Sequence, residues 1–215
     1  MVRAAVPTAV PFLPRSRSLA THEKAAQGCR GCPLWKGASQ AVFGEGPKRA
    51  RLMMIGEQPG DQEDKQGRPF VGPAGRILDE ALEAAGIDRD SIYLTNIVKH
   101  FKWKPKGKRR IHATPSRIEV DACRPWFERE LELVVPEALV ILGSTAAKEL
   151  LGPSFKVTEN RGRPLSSPLA PIVVATVHPA AILRARENRR EEMTRFVDDL
   201  RALAALLAAG VQRPA

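Results

Sequence analysis

Several short segments of this chain bring together residue types that could do chemistry. In Gly56-Glu57-Gln58-Pro59-Gly60 a carboxylate follows a short apolar run, and residues 67–75 hold Phe70 among glycines and prolines. A carboxylate just past a buried strand, with a stiffly braced Phe after it, suits a rigid pocket for a planar ring; the plainer reading is a tight surface turn. No Gly-Lys-Ser/Thr accompanies these glycines, which excludes a nucleotide P-loop. Between Lys99 and Arg117 lie eight Lys and Arg and no acidic residue, with Phe101 and Trp103 interleaved. That mixture suits a surface that neutralises phosphates and stacks on bases, although a solvated loop with its aromatics buried beneath it is the bland alternative. Cys29 and Cys32 have CxxC spacing and Cys123 stands alone. An odd number leaves one cysteine outside a disulfide framework and nothing suggests secretion, so metal ligation is the first alternative; a chelating pair plus one buried thiol is another. His178 precedes Pro179, the position of a helix cap.

The elements that must position these residues alternate in type. A helix over residues 19–27 leads into the Cys29–Cys32 knuckle, and residues 51–55 read as a buried strand. Residues 56–72 read as a long polar loop, and Pro73 opens a helix whose face is Ile77, Leu78, Ala81, Leu82 and Ala85, closed by Gly86. Residues 91–98 form a second strand, the basic segment is a loop, and Pro115 starts a helix to about Val135. A strand at 138–142, a helix at 144–151, a strand at 172–177 and a helix from Pro179 follow, with one or two helices over 183–210. Such alternation argues for a parallel sheet with helices on both faces. Ligands of such folds gather at the carboxyl ends of the strands, which sets the loops after Ile55, Val98, Leu142 and Val177 side by side.

A chain of 215 residues with 43% hydrophobic content supports one domain, over residues 19–210, and no repeat or second domain is visible. Residues 1–18 read as a flexible Pro-rich tail and 211–215 as a short carboxyl-terminal one. The tail lacks the apolar core of a secretory signal, although its Arg content leaves a transit peptide open. The most apolar stretch, 202–211, is too short to cross a bilayer, so no membrane partner is expected, and the protein is expected to be a cytoplasmic monomer. The net charge of +10 says more by where it sits than by its size, and the basic run from Lys99 to Arg117 with its interleaved aromatics makes nucleic acid the favoured partner.

Taken together, Gly56-Glu57-x-Pro59-Gly60, Pro69-Phe70-Val71-Gly72, Thr95-Asn96-x-Val98-Lys99 and Val177-His178-Pro179 resemble the iron-sulfur uracil-DNA glycosylases of the family-4 type, in order from Cys29 to Leu183. The resemblance implies a single-domain α/β fold, a three-layer α/β/α sandwich around a four-stranded parallel sheet, with a flipped-out uracil as ligand. It implies that Phe70 stacks on the uracil, that Asn96 reads its amide edge, and that His178 reaches its O2. A donor there stabilises the charge on the departing base, worth about 3 kcal/mol. Residues 179–183 match the segment that enters the DNA groove in the wider superfamily, which makes Ala180 and Arg184 candidate DNA contacts. The resembling family binds a 4Fe-4S cluster through four cysteines, and its third falls where this chain has His100. Histidine ligates iron in Rieske centres, so the expected ligands are Cys29, Cys32, His100 and Cys123, in a structural role; zinc held by three Cys and a His is the chemical competitor.

The segment Lys106-Gly-Lys-Arg-Arg-Ile-His112 departs from the family-4 pattern. With Gln58, a candidate uracil contact, it resembles the UdgX-type branch, which implies that His112 attacks C1′ of the deoxyribose after uracil leaves. A histidine near its usual pKa of ~6.5 is mostly neutral at cellular pH, and an oxocarbenium-like carbon needs only a neutral nitrogen. Glu57 is expected to orient His112 through its other ring nitrogen and stabilise the imidazolium. The plainer reading makes His112 a phosphate contact like Lys108, Arg109 and Arg110 beside it. The resulting expectation is a uracil-DNA glycosylase that prefers single-stranded or readily flipped uracil and ends bonded to its abasic product. Its rivals are a glycosylase that turns over with water and a non-catalytic iron-sulfur protein that holds DNA.

Overall fold

The structure, a computed structural model, describes residues 7–210, so residues 1–6 of the expected amino-terminal tail and all of the expected tail 211–215 lie outside the described residues. Its strands are β1 (Leu52–Gly56), β2 (Ile92–Asn96), β3 (Trp103–Lys106), β4 (Arg109–His112), β5 (Ala138–Leu142), β6 (Pro164–Leu165) and β7 (Ile172–Thr176). Its helices are α1 (Leu19–Ala26), α2 (Asp61–Gln66), α3 (Pro73–Ala84), α4 (Arg117–Val134), α5 (Ser144–Leu151), α6 (Val157–Asn160), α7 (Pro179–Arg184) and α8 (Arg189–Ala209). No helix among the described residues is long and apolar enough to cross a membrane.

The sheet order is β2-β1-β5-β7-β6, parallel except for β6. The four expected parallel strands therefore stand, with a two-residue antiparallel strand added at one edge. The four parallel strands are buried on both faces, and alternation along each one separates two cores. Met53, Ile55, Tyr93, Leu139 and Ile141 join Val120, Trp126 and Ala146 on the α4–α5 side. Leu52, Met54, Ile92, Leu94, Val140 and Leu142 join Ile77, Leu78, Phe196 and Leu200 on the α3–α8 side. Each such side chain contributes about 1.5–3 kcal/mol when buried, so a one-residue slip of any central strand would sacrifice both cores. Three layers follow, with the strand order reversing between β1 and β5 at the ligand-binding end.

Three expectations need correction. The loop at 56–72 contains α2, whose sequence is entirely polar and carries no apolar stripe. It forms because Glu63 accepts hydrogen bonds from Gly60 N at 3.1 Å and Gly72 N at 2.7 Å, tying both ends of the segment together. The basic loop is a hairpin, β3 paired with β4, turning at Gly107 with φ +58°. Finally, residues 8–13 of the expected flexible tail are docked: Ala9 is fully buried and its N–H donates to Ala122 O at 2.8 Å. The remaining boundaries agree to within a few residues, as in α4, which starts after a Ser116 cap whose own N–H donates to Glu119 Oε2 at 2.6 Å.

Candidate active site

The residues expected around the base come together where β1, β2 and β7 end. Register pairs Gly56 with Asn96, and a side chain at Gly56 would meet Asn96 Oδ1 at 2.5 Å and Phe70 Cζ at 2.9 Å. Glycine is required there because the amide and the aromatic ring converge on its bare Cα. Phe70 is 5% exposed and left-handed, with φ 55°, an unfavourable conformation for an aromatic residue. Its surroundings hold it: Arg89 Nη2 donates to Phe70 O at 3.3 Å, and a side chain at Gly75 would lie 1.8 Å from that oxygen. The Phe70 and His178 rings face each other, centroids 6.2 Å apart and planes 27° apart.

His178 caps α7, its Nδ1 accepting from Ala180 N at 3.1 Å. The capping reading therefore stands, and it leaves Nε2 free for a ligand. Burial, with His112 and Arg184 nearby, lowers the His178 pKa to about 4. A neutral imidazole with a lone pair on Nδ1 carries its proton on Nε2, the donor needed beside a departing base.

His112 ends the hairpin. Gln58 Oε1 accepts from Lys102 N at 2.8 Å, which turns the Gln58 NH2 group toward Lys102 O, Ala113 O and His112 Nε2, the last at 2.9 Å. An NH2 group only donates, so His112 Nε2 carries the lone pair and Nδ1 the proton. Partial burial lowers the His112 pKa, Glu57 opposes that shift and Arg184 adds to it, so the neutral form prevails. Glu57 Oε1 lies 3.8 Å from the same Nε2 and has no hydrogen-bond partner. Two expectations change here. Gln58 spends its polar atoms on the hairpin and His112 rather than on a base, and the orienting contact expected of Glu57 belongs to Gln58. Glu57 instead turns Oε1, which has no hydrogen-bond partner, toward His112 Nε2.

The hairpin has two faces by register. Trp103 pairs with His112 and Pro105 with Arg110 on one; Lys104 pairs with Ile111 and Lys106 with Arg109 on the other. Arg110 is not free for DNA: it bonds Asp61 and Asp64 at 2.6 Å, with its guanidinium over the rings of Phe101 and Trp103. Phe101 is 2% exposed, so it lies buried beneath the hairpin rather than free to stack on a base, while Trp103 is half-buried and its Nε1 donates to Gly37 O at 2.7 Å. Lys108 and Arg109 are exposed at its tip, while exposed Arg184 and half-buried Ala180 belong to α7.

Cys29, Cys32 and Cys123 are buried and free, close enough for each to perturb another, and His100 is 5% exposed at the hairpin root. Burial pushes the Cys123 thiol up to about 12 and the Cys32 thiol upward, so these sulfurs become ligands only against a positive metal core. N–H donors already aim at two of them, Trp126 Nε1 to Cys29 Sγ at 3.3 Å and Lys99 N to Cys123 Sγ at 3.2 Å. Burial lowers the His100 pKa to about 4, leaving a neutral imidazole able to ligate. In burial and donor chemistry these four residues fit a cluster. Among the described residues no three of His, Cys, Asp and Glu converge tightly enough for one metal ion, and a four-iron cluster, which spreads its ligands over four irons, does not require that convergence.

Sequence reasoning counted Lys99 in a motif and in the basic run but missed Glu130 and the buried pair the two form beneath Asn96. A signal existed, since Glu130 falls on the apolar stripe of α4 with Cys123, Phe127 and Val134.

Residues 43–201 match the family described as the uracil DNA glycosylase superfamily. The type-4 uracil-DNA glycosylase of Thermotoga maritima is 38% identical over 170 residues, covering 79% of this chain and 83% of that protein. That of Sulfurisphaera tokodaii is 36% identical, covering 82% and 80%, and that of Pyrobaculum aerophilum 38% identical, covering 77% and 84%.

Proposed function

The chain belongs to the uracil-DNA glycosylase superfamily, and from that premise we propose that it excises uracil from DNA and then bonds its own His112 to the abasic sugar. Phe70 stacks on the flipped base, Asn96 reads its amide edge and His178 Nε2–H donates to O2. The C1′–N1 bond breaks with its electron pair leaving on uracil, which takes a proton from solvent. The His112 Nε2 lone pair then forms a bond to C1′ of the oxocarbenium-like sugar, and the resulting imidazolium either keeps its Nδ1 proton or yields it to solvent. The carrying observation is the neutral Nε2, its lone pair held at 2.9 Å by Gln58 and faced at 3.8 Å by the unpaired Glu57 Oε1. DNA must displace the Gln58 amide for attack, and Glu57 then stands opposite the new positive charge. Lys108, Arg109 and Arg184 supply phosphate contacts, single-stranded or readily flipped uracil is preferred, and the protein acts as a monomer.

Incubation with a uracil-containing oligonucleotide tests this directly. The expected result is one uracil released per protein together with a DNA band that resists heat and detergent; free uracil with only alkali-labile DNA would instead establish turnover with water. Acid separates the two steps. Protonated His112 has no lone pair, so adduct formation is expected to be constant from neutral pH upward and to fall below the ordinary histidine range. Uracil release should not fall in the same window, because His178 stays neutral down to about 4. Rapid-quench yields of adduct and of uracil, measured across pH, would expose a common titration if one group served both.

A 4Fe-4S cluster held by Cys29, Cys32, His100 and Cys123 would pin the amino-terminal segment and the hairpin root to α4, and its chemistry here is structural. The purified protein is expected to be brown and to contain iron. Cys123→Ala should remove the colour and lower the melting temperature, whereas a colourless zinc protein would overturn this ligand assignment.

A further inference from the structure

We propose that Lys99 is a positioning residue for base recognition, its amine holding the Asn96 backbone so that the Asn96 amide faces the base, with Glu130 as the counter-charge that permits its burial. The Lys99 side chain is 1% exposed. Its three donors are all used, on Asn96 O at 2.7 Å, Thr95 Oγ1 at 2.7 Å and Glu130 Oε2 at 2.5 Å. Glu130 is fully buried and accepts in addition from Gly44 N at 2.8 Å, Tyr93 OH at 3.2 Å and Thr95 Oγ1 at 3.0 Å. Phe43 places its ring 5.5 Å from the Lys99 amine.

Stability alone does not account for this pair. Two charges removed from water repay their desolvation poorly, and apolar residues of similar volume commonly serve as well or better. What an apolar side chain could not supply is a donor to the Asn96 carbonyl. That carbonyl belongs to the last residue of β2, where the sheet stops constraining the chain. Beyond it, Ile97 N donates to Gly56 O and Val98 N to Glu57 O, both at 3.0 Å, so the amine sets the peptide plane between the base-reading residue and the loop lying against Glu57. Misplacement of a recognition group by about 1 Å can cost a hundredfold in rate. The inference rests on Asn96 being the base-reading residue.

The test is a cycle between Asn96→Ala and the paired replacement Lys99→Met/Glu130→Leu, read as single-turnover uracil release, melting temperature and iron content. Lys99→Met alone should lower the melting temperature by leaving the Glu130 carboxylate buried without its cation, and adding Glu130→Leu should restore only part of it, because Gly44 N and Tyr93 OH then lose their acceptor. Excision by the paired variant should remain about ten- to a hundredfold slow with iron content unchanged. In the Asn96→Ala background the same pair should cost no more than about twofold. Wild-type excision by the paired variant, an equal loss in the Asn96→Ala background, or loss of iron would each overturn the proposal. If the paired variant does not fold, Lys99→Gln/Glu130→Gln enters the same cycle with the same criteria. Unchanged excision by Asn96→Ala alone would overturn the role of Asn96 itself, a separate outcome.

Discussion

His112→Ala is expected to abolish the denaturation-resistant protein–DNA product while uracil release continues. Removing the imidazole takes away the neutral ring nitrogen 3.8 Å from Glu57 but is expected to leave Phe70 and His178 in place. The oxocarbenium-like sugar then meets water in the vacated space, and the unpaired Glu57 oxygen is placed to accept that water's proton. The variant should therefore release more than one uracil per protein and leave alkali-labile DNA, where the parent stops at one. Adduct yield on a denaturing gel and uracil released per chain measure both halves. An undiminished band would assign the bond to another nucleophile. Gln58→Ala offers a graded companion: with the tautomer no longer fixed by the 2.9 Å contact and the hairpin root loosened, adduct formation should slow more than uracil release does.

His178→Ala is expected to slow uracil release by about 10²- to 10³-fold, the usual consequence of removing one donor from a developing oxyanion. Two effects compete in this substitution, because His178 also caps α7 through its contact with Ala180 N. Losing a cap costs about 1 kcal/mol of stability, too little to unfold a domain of this size, so the rate loss should dominate. Single-turnover release at a temperature well below the melting point of both proteins separates them. A variant with a lowered melting temperature and an unchanged rate would reduce His178 to its capping role. Because burial keeps the ring neutral down to about 4, the parent's release should show no histidine titration near neutrality.

Much of the frame was legible because a parallel sheet buried on both faces demands continuous apolar runs, and residues 52–56, 138–142 and 172–176 supply them. Helices with an apolar stripe and ordinary caps, α3 and α4 among them, were equally readable. What escaped was structure built from polar groups. α2 has no stripe to detect, and its existence depends on Glu63 meeting backbone N–H groups at Gly60 and Gly72. The hairpin hid in a run of positive charge because its order comes from distant acids, Asp61 and Asp64, clasping Arg110.

By itself the sequence determined the α/β class, the order of the strands' carboxyl-end loops and the residues gathered there, since these follow from local hydrophobic period and from motifs carried within single segments. Only the tertiary structure decided how those residues divide their work. That Gln58 rather than Glu57 holds His112, that Arg109 is exposed while Arg110 is a strut, and that Lys99 lies under Asn96 rather than on a basic surface all depend on contacts between segments far apart in the chain. The physical reason is that a polar side chain's role is set by the partner and the burial it finds, and neither is encoded in its near neighbours.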